Sequence, residues 1–442
     1  MKKVSLKYFK KSDRVDNKKI LNIMDNIRRG NKQLIKELNR AIVINTILNY
    51  GPVSRTRISE FTDLGLSTVS NIVADLIKKE LIYETGEEES SGGRRAILLE
   101  FNCNDRFVLG IKIGLDGIII GLVNMKSKIL DQHFIPSPVN SNEKIVLEVL
   151  IKVIRDLINK NHIQTEKIVG CGIGVSGLVN QKKGMLVFSK ILGWKEVRFK
   201  ELLEKEFDFP VFVDKDVNAL TLAEKRFGVG KEINNFICIT IGKGVGAGIV
   251  INGDIYHGRH GGAGDFGHII IDKDGPLCYC GKQGCLEAFA SDQFIINKIK
   301  EALSNRQDTI IKDLLKKKED LDSITVNTVI EAAQKGDIIS KKIFQEVGKN
   351  LAMGTVNLIS LFDPELIVVG GEGVKAGEFI FPVMRKVVRD KFPFKKEIEI
   401  IPLQPGEEGW IIGAAELVLS EIFKTPIFKS KGKVAIKSAF HW

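Results

Sequence analysis

The sequence is poor in cysteine and has no long apolar run, and each shortage excludes a class of protein. Its 442 residues include only six cysteines, too few for a disulfide-stapled scaffold of this length. No stretch of 18 consecutive apolar residues occurs, so no transmembrane helix is predicted. The basic first 19 residues lack the apolar segment of a secretory signal peptide. We therefore expect a cytoplasmic protein with no membrane partner. With 44% hydrophobic and 27% charged residues, the chain is also too apolar for wholesale disorder.

Positive charge is concentrated at the N-terminal end. The net charge is +11, and residues 1–50 carry 13 Lys/Arg against 4 Asp/Glu, a net charge of +9. Residues 51–100 carry 6 against 9, a net charge of −3. A basic N-terminal segment on a nearly neutral body indicates an anionic partner met by that end. A solvated lysine-rich tail explains the same charge equally well.

The next elements have the order of a winged helix-turn-helix. An apolar helical stripe is ended by Gly51-Pro52. Ser54 can cap a short helix whose Ile58 and Phe61 face inward, and Ser67 can cap the helix that follows. The predicted helices span residues 33–50, 55–62 and 67–80, and the predicted strands span residues 81–85 and 96–101. A three-residue turn with a central glycine sets the last two helices at a steep angle, which lets the second enter the major groove of DNA.

Short polar side chains and arginines lie where such a domain touches DNA. Hydroxyl and amide groups on the exposed first turn of the recognition helix can bond base edges and phosphates. Arginines on the preceding helix reach the backbone, and those at the hairpin tip reach the minor groove. The alternative is that Ser67 only caps its helix and the others are ordinary surface. The residues expected to contact DNA are Arg55, Arg57, Ser67, Thr68, Ser70, Asn71, Arg94 and Arg95.

From residue 107 onward, apolar strands alternate with helices, which predicts an α/β architecture. No short solenoid-type repeat occurs. Strands are predicted over residues 108–113, 118–124, 168–175, 211–213, 236–241, 246–251 and 367–370. Helices are predicted over residues 143–161, 199–207, 219–227, 291–303, 326–335, 340–362 and 410–423.

Three of the six cysteines fall within eight residues, downstream of one histidine. His268, Cys278, Cys280 and Cys285 form a Cys₃His set, the ligand type of a closed structural Zn²⁺ site. The alternatives are a redox-inert cluster or a disulfide in a loop. The other cysteines, Cys103, Cys171 and Cys238, lie in apolar segments and are expected to be buried small hydrophobes.

Glycine loops follow three of the predicted strands. They begin at Gly114, Gly242 and Gly370, and such loops let backbone N–H groups approach a ligand or phosphate. Each is also explained by a tight turn. The segment Val213-Asp214-Lys215-Asp216-Val217-Asn218 lies at a strand end leading into a helix. A carboxylate in it can accept a proton or bond a hydroxyl, although an Asx-type helix start is equally compatible.

Taken together, these residues resemble the ROK family (repressors, open reading frames, kinases), in the branch with an N-terminal winged helix-turn-helix. The resemblance covers about residues 30–423. Its most specific segment is GRHGGAGDFGHIIIDKDGPLCYCGKQGCLEAFAS, and CGIGVSGLVN, ILGW, DKDVNALTLAEKRFG and LISLFDPELIVVGGEG also match. The head looks most like that of the xylose-repressor subgroup. The resemblance implies an α/β, two-lobed actin/hexokinase-like (ribonuclease H-like) domain with a sugar cleft.

The resemblance also implies roles for individual residues. The Zn²⁺ ligands fall on the Cys₃His set, and the catalytic base of the family's kinases falls on Asp216. The Ser176-Gly177 turn lines the cleft. The sugar-binding positions fall on Gly177, Lys215, Asp216, Asp265, His268 and Glu287.

Several departures from the kinase pattern argue against an enzyme. In the first phosphate loop, Lys112 and Asp116 stand where kinases carry Asp and Thr, and Lys243 replaces a Thr in the second. Phosphoryl transfer depends on positioning and charge stabilisation, so these changes predict no kinase activity. Lys215 and Asp265 also differ from the usual Asn and Glu, which leaves the identity of the sugar open.

The expected function is that of a sugar-responsive transcriptional repressor, released from a pseudo-palindromic operator by a sugar such as xylose or glucose, and acting as a homodimer or higher homo-oligomer. One alternative is an ATP-dependent sugar kinase that kept a DNA-binding head. The other is a repressor controlled by a protein partner. The expected boundaries are a basic extension (1–30), the winged helix-turn-helix (31–102), a small lobe (103–228, completed by helix 409–423), a large lobe with the zinc site (229–408) and a tail (424–442).

Overall fold

The computed structural model describes residues 32–87, 95–136, 143–315, 321–392, 398–404 and 406–423. These residues form two compact units: residues 32–106 with residues 419–423, and residues 107–418. We call the first the head and the second the body.

The head contains three helices and a three-stranded sheet. Its helices are α1 (Lys32–Tyr50), α2 (Arg55–Thr62) and α3 (Leu66–Lys78), and its strands are β1 (Val53–Ser54), β2 (Ile82–Glu87) and β3 (Ile97–Phe101), in the order β1-β3-β2 with antiparallel pairing. The sequence predicted the three helices and the strands β2 and β3 in this order, but it did not predict β1. The side chains of Ile58, Val69, Val73 and Leu76 are fully buried and hold α2 and α3 together.

Two details of the head differ from the sequence-based expectation. Ser54 caps α2 as predicted, since its Oγ accepts a hydrogen bond from the backbone N–H of Arg57. Ser67 does not cap α3, because the helix begins one residue earlier with Gly65 as its N-cap. Phe61 is 54% exposed rather than buried, and its ring lies 5.1 Å from that of Tyr50. A helix of eight residues is too short for periodicity alone to fix which face is buried.

The body is built around two five-stranded sheets of the same topology. The first-lobe strands are β4 (Phe107–Gly114), β5 (Gly117–Asn124), β6 (Ile129–Pro136), β7 (Ile168–Val175) and β11 (Val211–Lys215), in the order β11-β7-β4-β5-β6. The second-lobe strands are β12 (Phe236–Ile241), β13 (Val245–Ile251), β14 (Asp254–Ile255), β15 (Leu366–Gly370) and β16 (Glu399–Pro402), in the order β14-β13-β12-β15-β16. In each sheet three antiparallel strands precede two parallel ones.

Helices cover these sheets, and a small antiparallel sheet joins the first lobe. The helices are α4 (Glu143–Lys160), α5 (Phe199–Glu206), α6 (Asp216–Arg226), α7 (Asp292–Ser304), α8 (Ile311–Leu314), α9 (Val326–Gln334), α10 (Ile338–Phe362), α11 (Gly377–Lys391) and α12 (Glu408–Ile422). The small sheet contains β8 (Leu178–Asn180), β9 (Met185–Ser189) and β10 (Trp194–Val197). The small sheet, β6, β14, β16, α8 and α11 were not anticipated from the sequence.

Glycines inside the first-lobe strands let α12 pack directly on the sheet. A Cβ on Gly110 would collide with the backbone carbonyl of Ile411, and a Cβ on Gly172 would collide with that of Ala414. The sheet therefore requires glycine at these two positions. Beneath it, one apolar core joins the sheet to α4 and α5, and a second core joins β12, β13 and β15 to α7, α9, α10 and α11.

Candidate metal centre and ligand cleft

The carboxyl ends of the parallel strands bring the predicted loops together. In the first lobe, β4 ends at Gly114, β7 at Val175 and β11 at Lys215, all at one edge. In the second lobe, β12 ends at Ile241 and β15 at Gly370. Ligands of open α/β sheets bind outside such edges, and side chains from the two edges contact each other here, as described next.

Lys215 and Asp265 form an ion pair across the cleft. The Lys215 side chain is only 5% exposed, and its ammonium contacts the Asp265 carboxylate and donates to the carbonyl of Ala263 at 3.0 Å. Asp265 is half exposed. The two departures from the kinase pattern noted above are thus partners of each other.

Asp216 begins α6 beside this pair. One carboxylate oxygen accepts the hydroxyl of Ser176, and the other accepts the backbone N–H of Val217 at 2.8 Å. Asp216 is the first residue of α6, and the N-cap is Lys215 with no side-chain cap bond, so no Asx-type helix start is formed by Asp216. Gly177 follows Ser176 with φ +134°, and a Cβ there would lie 2.7 Å from the carbonyl oxygen of Phe188.

Asp214, the other carboxylate of the segment 213–218, is a buried hub. It is 3% exposed and accepts from the side-chain amides of Gln181 at 2.9 Å and Asn218 at 2.8 Å. His257 Nε2 lies 2.7 Å from its second oxygen. Asp214 therefore fixes both the start of α6 and the second-lobe loop that leads to Asp265.

Glu287 is buried with one carboxylate oxygen unsatisfied. The residue is 4% exposed; Oε2 accepts the backbone N–H of Val245 at 2.8 Å. Among the described residues, Oε1 forms no hydrogen bond of ordinary geometry, although the Tyr279 hydroxyl is close enough to Glu287 for the carboxylate to raise the pKa of the phenol. An unpaired buried acceptor costs free energy, so a ligand hydroxyl that donates to Oε1 would be favoured.

The Cys₃His set closes into one cluster. One ligand atom from each of His268, Cys278, Cys280 and Cys285 lies within 4.8 Å of all the others. Cys278 Sγ is 3.7 Å from His268 Nδ1, and Cys280 Sγ is 3.6 Å from Cys285 Sγ. Zn–S bonds of about 2.3 Å in a tetrahedron separate two thiolates by about 3.8 Å, so these spacings fit a metal ion.

The loop around the cluster is a tight turn. Gly281 has φ +94°, and its N–H donates to the carbonyl of Cys278. All six cysteines are free in this structure, which favours a metal site over the disulfide alternative. Cys103, Cys171 and Cys238 are buried as predicted, and burial raises the pKa of Cys238 to about 12.

Tyr279, between two of the cluster cysteines, is a residue that the sequence reasoning missed. Its Oη lies 3.4 Å from His268 Nε2, with the two rings edge to face. Burial, followed by the charge of Glu287, raises the pKa of the phenol above its ordinary value. The one signal in the sequence was its position between two cluster cysteines, and that position does not specify a role.

Charged residues at the glycine loops of the two lobes pair with each other. Lys112 donates to Glu372 at 3.1 Å and stacks 3.8 Å above the ring of Trp410, and Lys243 forms an ion pair with Asp116. Each ion pair joins a residue of the first lobe to a residue of the second lobe. The contact with Trp410 also ties Lys112 to α12, which packs on the first-lobe sheet. Each of these two lysines is thus paired with a carboxylate at this edge.

A cavity of about 1230 Å³ lies beside these pairs. Its lining includes Asp116, Lys243, Tyr279, Glu287 and Asp292. Burial and then the charge of nearby Glu372 raise the pKa of Asp292 to about 6. The cavity therefore connects the edge of the Cys₃His loop with the glycine loops that follow β4 and β12.

The predicted DNA-contact residues lie on α2, α3 and the hairpin of the head. Ser67 and Asn71 are exposed, and Thr68 and Ser70 are partly exposed. Arg57 is exposed on α2, whereas Arg55 pairs with Glu84 of β2 at 3.1 Å. Arg95 is exposed and 3.7 Å from Glu87. Arg94 lies outside the described residues.

Comparisons with known proteins decide the family. The model of the ROK family matches residues 108–421. The chain belongs to the ROK family. It is 31% identical over 401 residues to a xylose repressor of Caldicellulosiruptor bescii, covering 90% of this chain and 99% of that protein.

Solved ROK structures agree in fold. One is a ROK family transcriptional regulator described as a homologue of the Escherichia coli Mlc protein, with a TM-score of 0.79, 26% identity, and coverage of 92% of this chain and 100% of that one. Another is a ROK family glucokinase from Streptomyces griseus in complex with glucose and AMPPNP, with a TM-score of 0.62, 30% identity, and coverage of 70% and 98%. The predicted family and the α/β fold class are confirmed. No helix among the described residues of this ROK protein is long and apolar enough to span a membrane.

Proposed function

We propose that this ROK protein is a sugar-responsive DNA-binding repressor of carbohydrate utilisation genes, released from its operator when a sugar binds the cleft. Xylose is the first effector to test. The carrying observation is the 401-residue similarity to a xylose repressor. That alignment is longer than the ROK match at residues 108–421 and therefore includes part of the head, which a kinase does not need.

The head is proposed to be a winged helix-turn-helix with α3 as its recognition helix. The exposed polar side chains at the start of α3 support direct base contacts. The basic residues 1–50 supply sequence-independent attraction to phosphate. Arg55 is already paired with Glu84. Because that carboxylate offsets its charge, we expect Arg55 to contact a DNA phosphate but to contribute less to DNA affinity than an unpaired arginine would.

The cleft is proposed to take a neutral sugar. The acceptors Asp216, Asp265 and Glu287 and the ring of His268 offer complementary partners to vicinal hydroxyls. The unsatisfied Oε1 of Glu287 is the strongest local support. A buried acceptor also rejects ligands that cannot donate to it.

The metal is proposed to be a structural Zn²⁺ held by His268, Cys278, Cys280 and Cys285. Three thiolates and one imidazole form a closed set with no position left for substrate. When bound, the ion supplies folding free energy to the loop rather than Lewis-acid chemistry. Since His268 and Glu287 flank this loop, loss of metal is expected to disturb the sugar site first.

Kinase activity is proposed to be absent. Lys112 and Lys243 are engaged by Glu372 and Asp116, at positions where a kinase clamps a metal–triphosphate complex. Exposed carboxylates at the same edge would repel the phosphates. The kinase alternative is favoured by Asp216 and the glycine-rich second loop, and it requires these ion pairs to open.

The repressor is proposed to act as a homodimer on a pseudo-palindromic operator, with half-sites one helical turn or a multiple apart. The domain boundaries stated above and a cytoplasmic location belong to the same proposal. The sugar must bind the DNA-incompetent state more tightly. A 100-fold shift needs about 2.7 kcal/mol of differential affinity.

Calorimetry of the full chain against pentoses and hexoses, run beside a coupled ADP-release assay, tests this proposal. We expect one sugar class to bind and turnover to stay far below the ~1 s⁻¹ typical of kinases. Turnover above that rate would favour the kinase alternative. Failure of every sugar to bind would favour control by a protein partner.

A further inference from the structure

The side chain between the two metal-site cysteines of the Cys-x-Cys segment is held in a defined position. The backbone N–H of Cys278 donates to the carbonyl of Lys282 at 2.8 Å. The ammonium of Lys190, from the first lobe, contacts the carbonyl of Tyr279 and lies 6.0 Å from its ring centre. Tyr279 is therefore fixed by the turn on one side and by the opposite lobe on the other.

The phenol of Tyr279 lies between two residues that the ROK resemblance assigns to the sugar. Its Oη is 3.4 Å from His268 Nε2, and it lines the same cavity as Glu287. His268 Nδ1 faces Cys278 Sγ. A metal ion on Nδ1 leaves the ring proton on Nε2, which then acts as a donor on the cleft side.

Beside the Tyr279 phenol, a buried hydrogen-bonding group has no partner until a ligand hydroxyl binds. Nε2 has the Tyr279 hydroxyl as its described partner, at 3.4 Å, whereas Glu287 Oε1 is buried and forms no hydrogen bond among the described residues. A sugar hydroxyl can accept from the first and donate to the second. The phenol, which both donates and accepts, can bond the same hydroxyl or its neighbour.

We propose that Tyr279 is a further effector-binding residue, whose hydroxyl acts with His268 and Glu287 on one end of the sugar and thereby sets sugar specificity. This inference rests on the proposed sugar-binding function. It commits to a neutral sugar with vicinal hydroxyl groups as the ligand class. Its physical basis is that a site built to bond a hydroxyl discriminates strongly against analogues that lack it.

The test combines a variant of the protein with variants of the sugar. Tyr279→Phe removes only the hydroxyl, and Tyr256→Phe, at a similarly exposed tyrosine (48% against 42%), is the matched control. Affinities for the inducing sugar and for each of its monodeoxy derivatives are measured by calorimetry. Bound zinc and operator affinity are measured on the same preparations.

We expect Tyr279→Phe to weaken sugar binding about tenfold, the size of one good hydrogen bond, with bound zinc and operator affinity unchanged. The wild-type protein should bind one monodeoxy sugar more weakly than the parent sugar by a similar factor. Tyr279→Phe should bind that monodeoxy sugar only slightly more weakly than it binds the parent sugar. Tyr256→Phe should behave as wild type throughout.

Sugar binding by Tyr279→Phe that is as tight as that of wild type, or tighter, would overturn the assignment. So would a variant that loses affinity for every monodeoxy sugar by the same factor as wild type does. Loss of zinc from this variant would place the hydroxyl in the metal site instead and also overturn it. If wild type bound no sugar at all, the proposed function itself would fail, which is distinguishable from each of these results.

Discussion

The ion pair between Lys215 and Asp265 makes an asymmetric stability prediction. The lysine side chain is 5% exposed, whereas that of the aspartate is 50% exposed. Removing the aspartate leaves a buried ammonium with the carbonyl of Ala263 as its remaining described acceptor. Removing the lysine leaves a carboxylate that water can reach.

The magnitudes follow from this difference in exposure. Breaking a buried ion pair by deleting one partner costs about 3–5 kcal/mol. Because water reaches one side of this pair, we expect Asp265→Ala to lower the free energy of unfolding by about 2 kcal/mol. Lys215→Met removes the buried charge and should cost less than about 1 kcal/mol. The double variant should resemble Lys215→Met alone, with a coupling of about 1–2 kcal/mol.

Urea unfolding of the full chain measures these values. Trp194 and Trp410 are both buried in the body, so tryptophan fluorescence follows its transition, and linear extrapolation gives the free energy. Equal costs for the two single variants, or a larger cost for Lys215→Met, would refute the argument from burial. Strictly additive effects in the double variant would show that the two side chains are not coupled.

Three further predictions concern the DNA-binding head, the metal and pH. Arg55→Ala should weaken operator and nonspecific DNA binding alike and lower the salt slope of binding by about one unit, while Glu84→Gln should strengthen both; an effect on one sequence only would contradict a phosphate role. Cys280→Ser should lower bound zinc and abolish the response to sugar, and an unchanged metal stoichiometry would contradict its role as a ligand. Because burial raises the pKa of Asp292 to about 6, the folded protein binds this proton more tightly than the unfolded chain, and stability should fall as pH rises from about 4 to 6. Asp292→Asn should therefore be more stable than wild type above pH 6, by on the order of 2 kcal/mol, and equal to it below pH 4; a constant difference across that range would contradict the shift.

Local patterns in the sequence were sufficient for many of the helices and strands and for the Cys₃His cluster. The cap at Ser54 needs only the three residues that follow it, and three cluster cysteines lie within eight residues of each other. The burial of Cys171 and Cys238 follows from the apolar strands that contain them. In each case the deciding information is close together along the chain.

Contacts between distant residues could not be predicted from these patterns. Lys112 and Glu372 are 260 positions apart, and Lys215 and Asp265 are 50 apart, so composition and spacing do not pair them. Tyr279 was overlooked because nothing in a Cys-x-Cys motif assigns a role to the middle residue. The error at Ser67 had a local cause, since Gly65 provides a competing helix start one residue earlier.

The central claim is that a sugar bound in the ROK cleft releases the head from DNA. Fluorescence anisotropy of a labelled operator fragment, titrated with xylose, glucose and other sugars, tests it most directly. Asp216→Asn is the matched variant, because it should weaken sugar binding and leave operator affinity intact. We predict that one sugar releases the wild-type protein from its operator, and that the variant needs a higher concentration of it. Operator binding unaffected by every sugar, or a variant that responds as wild type does, would contradict the account.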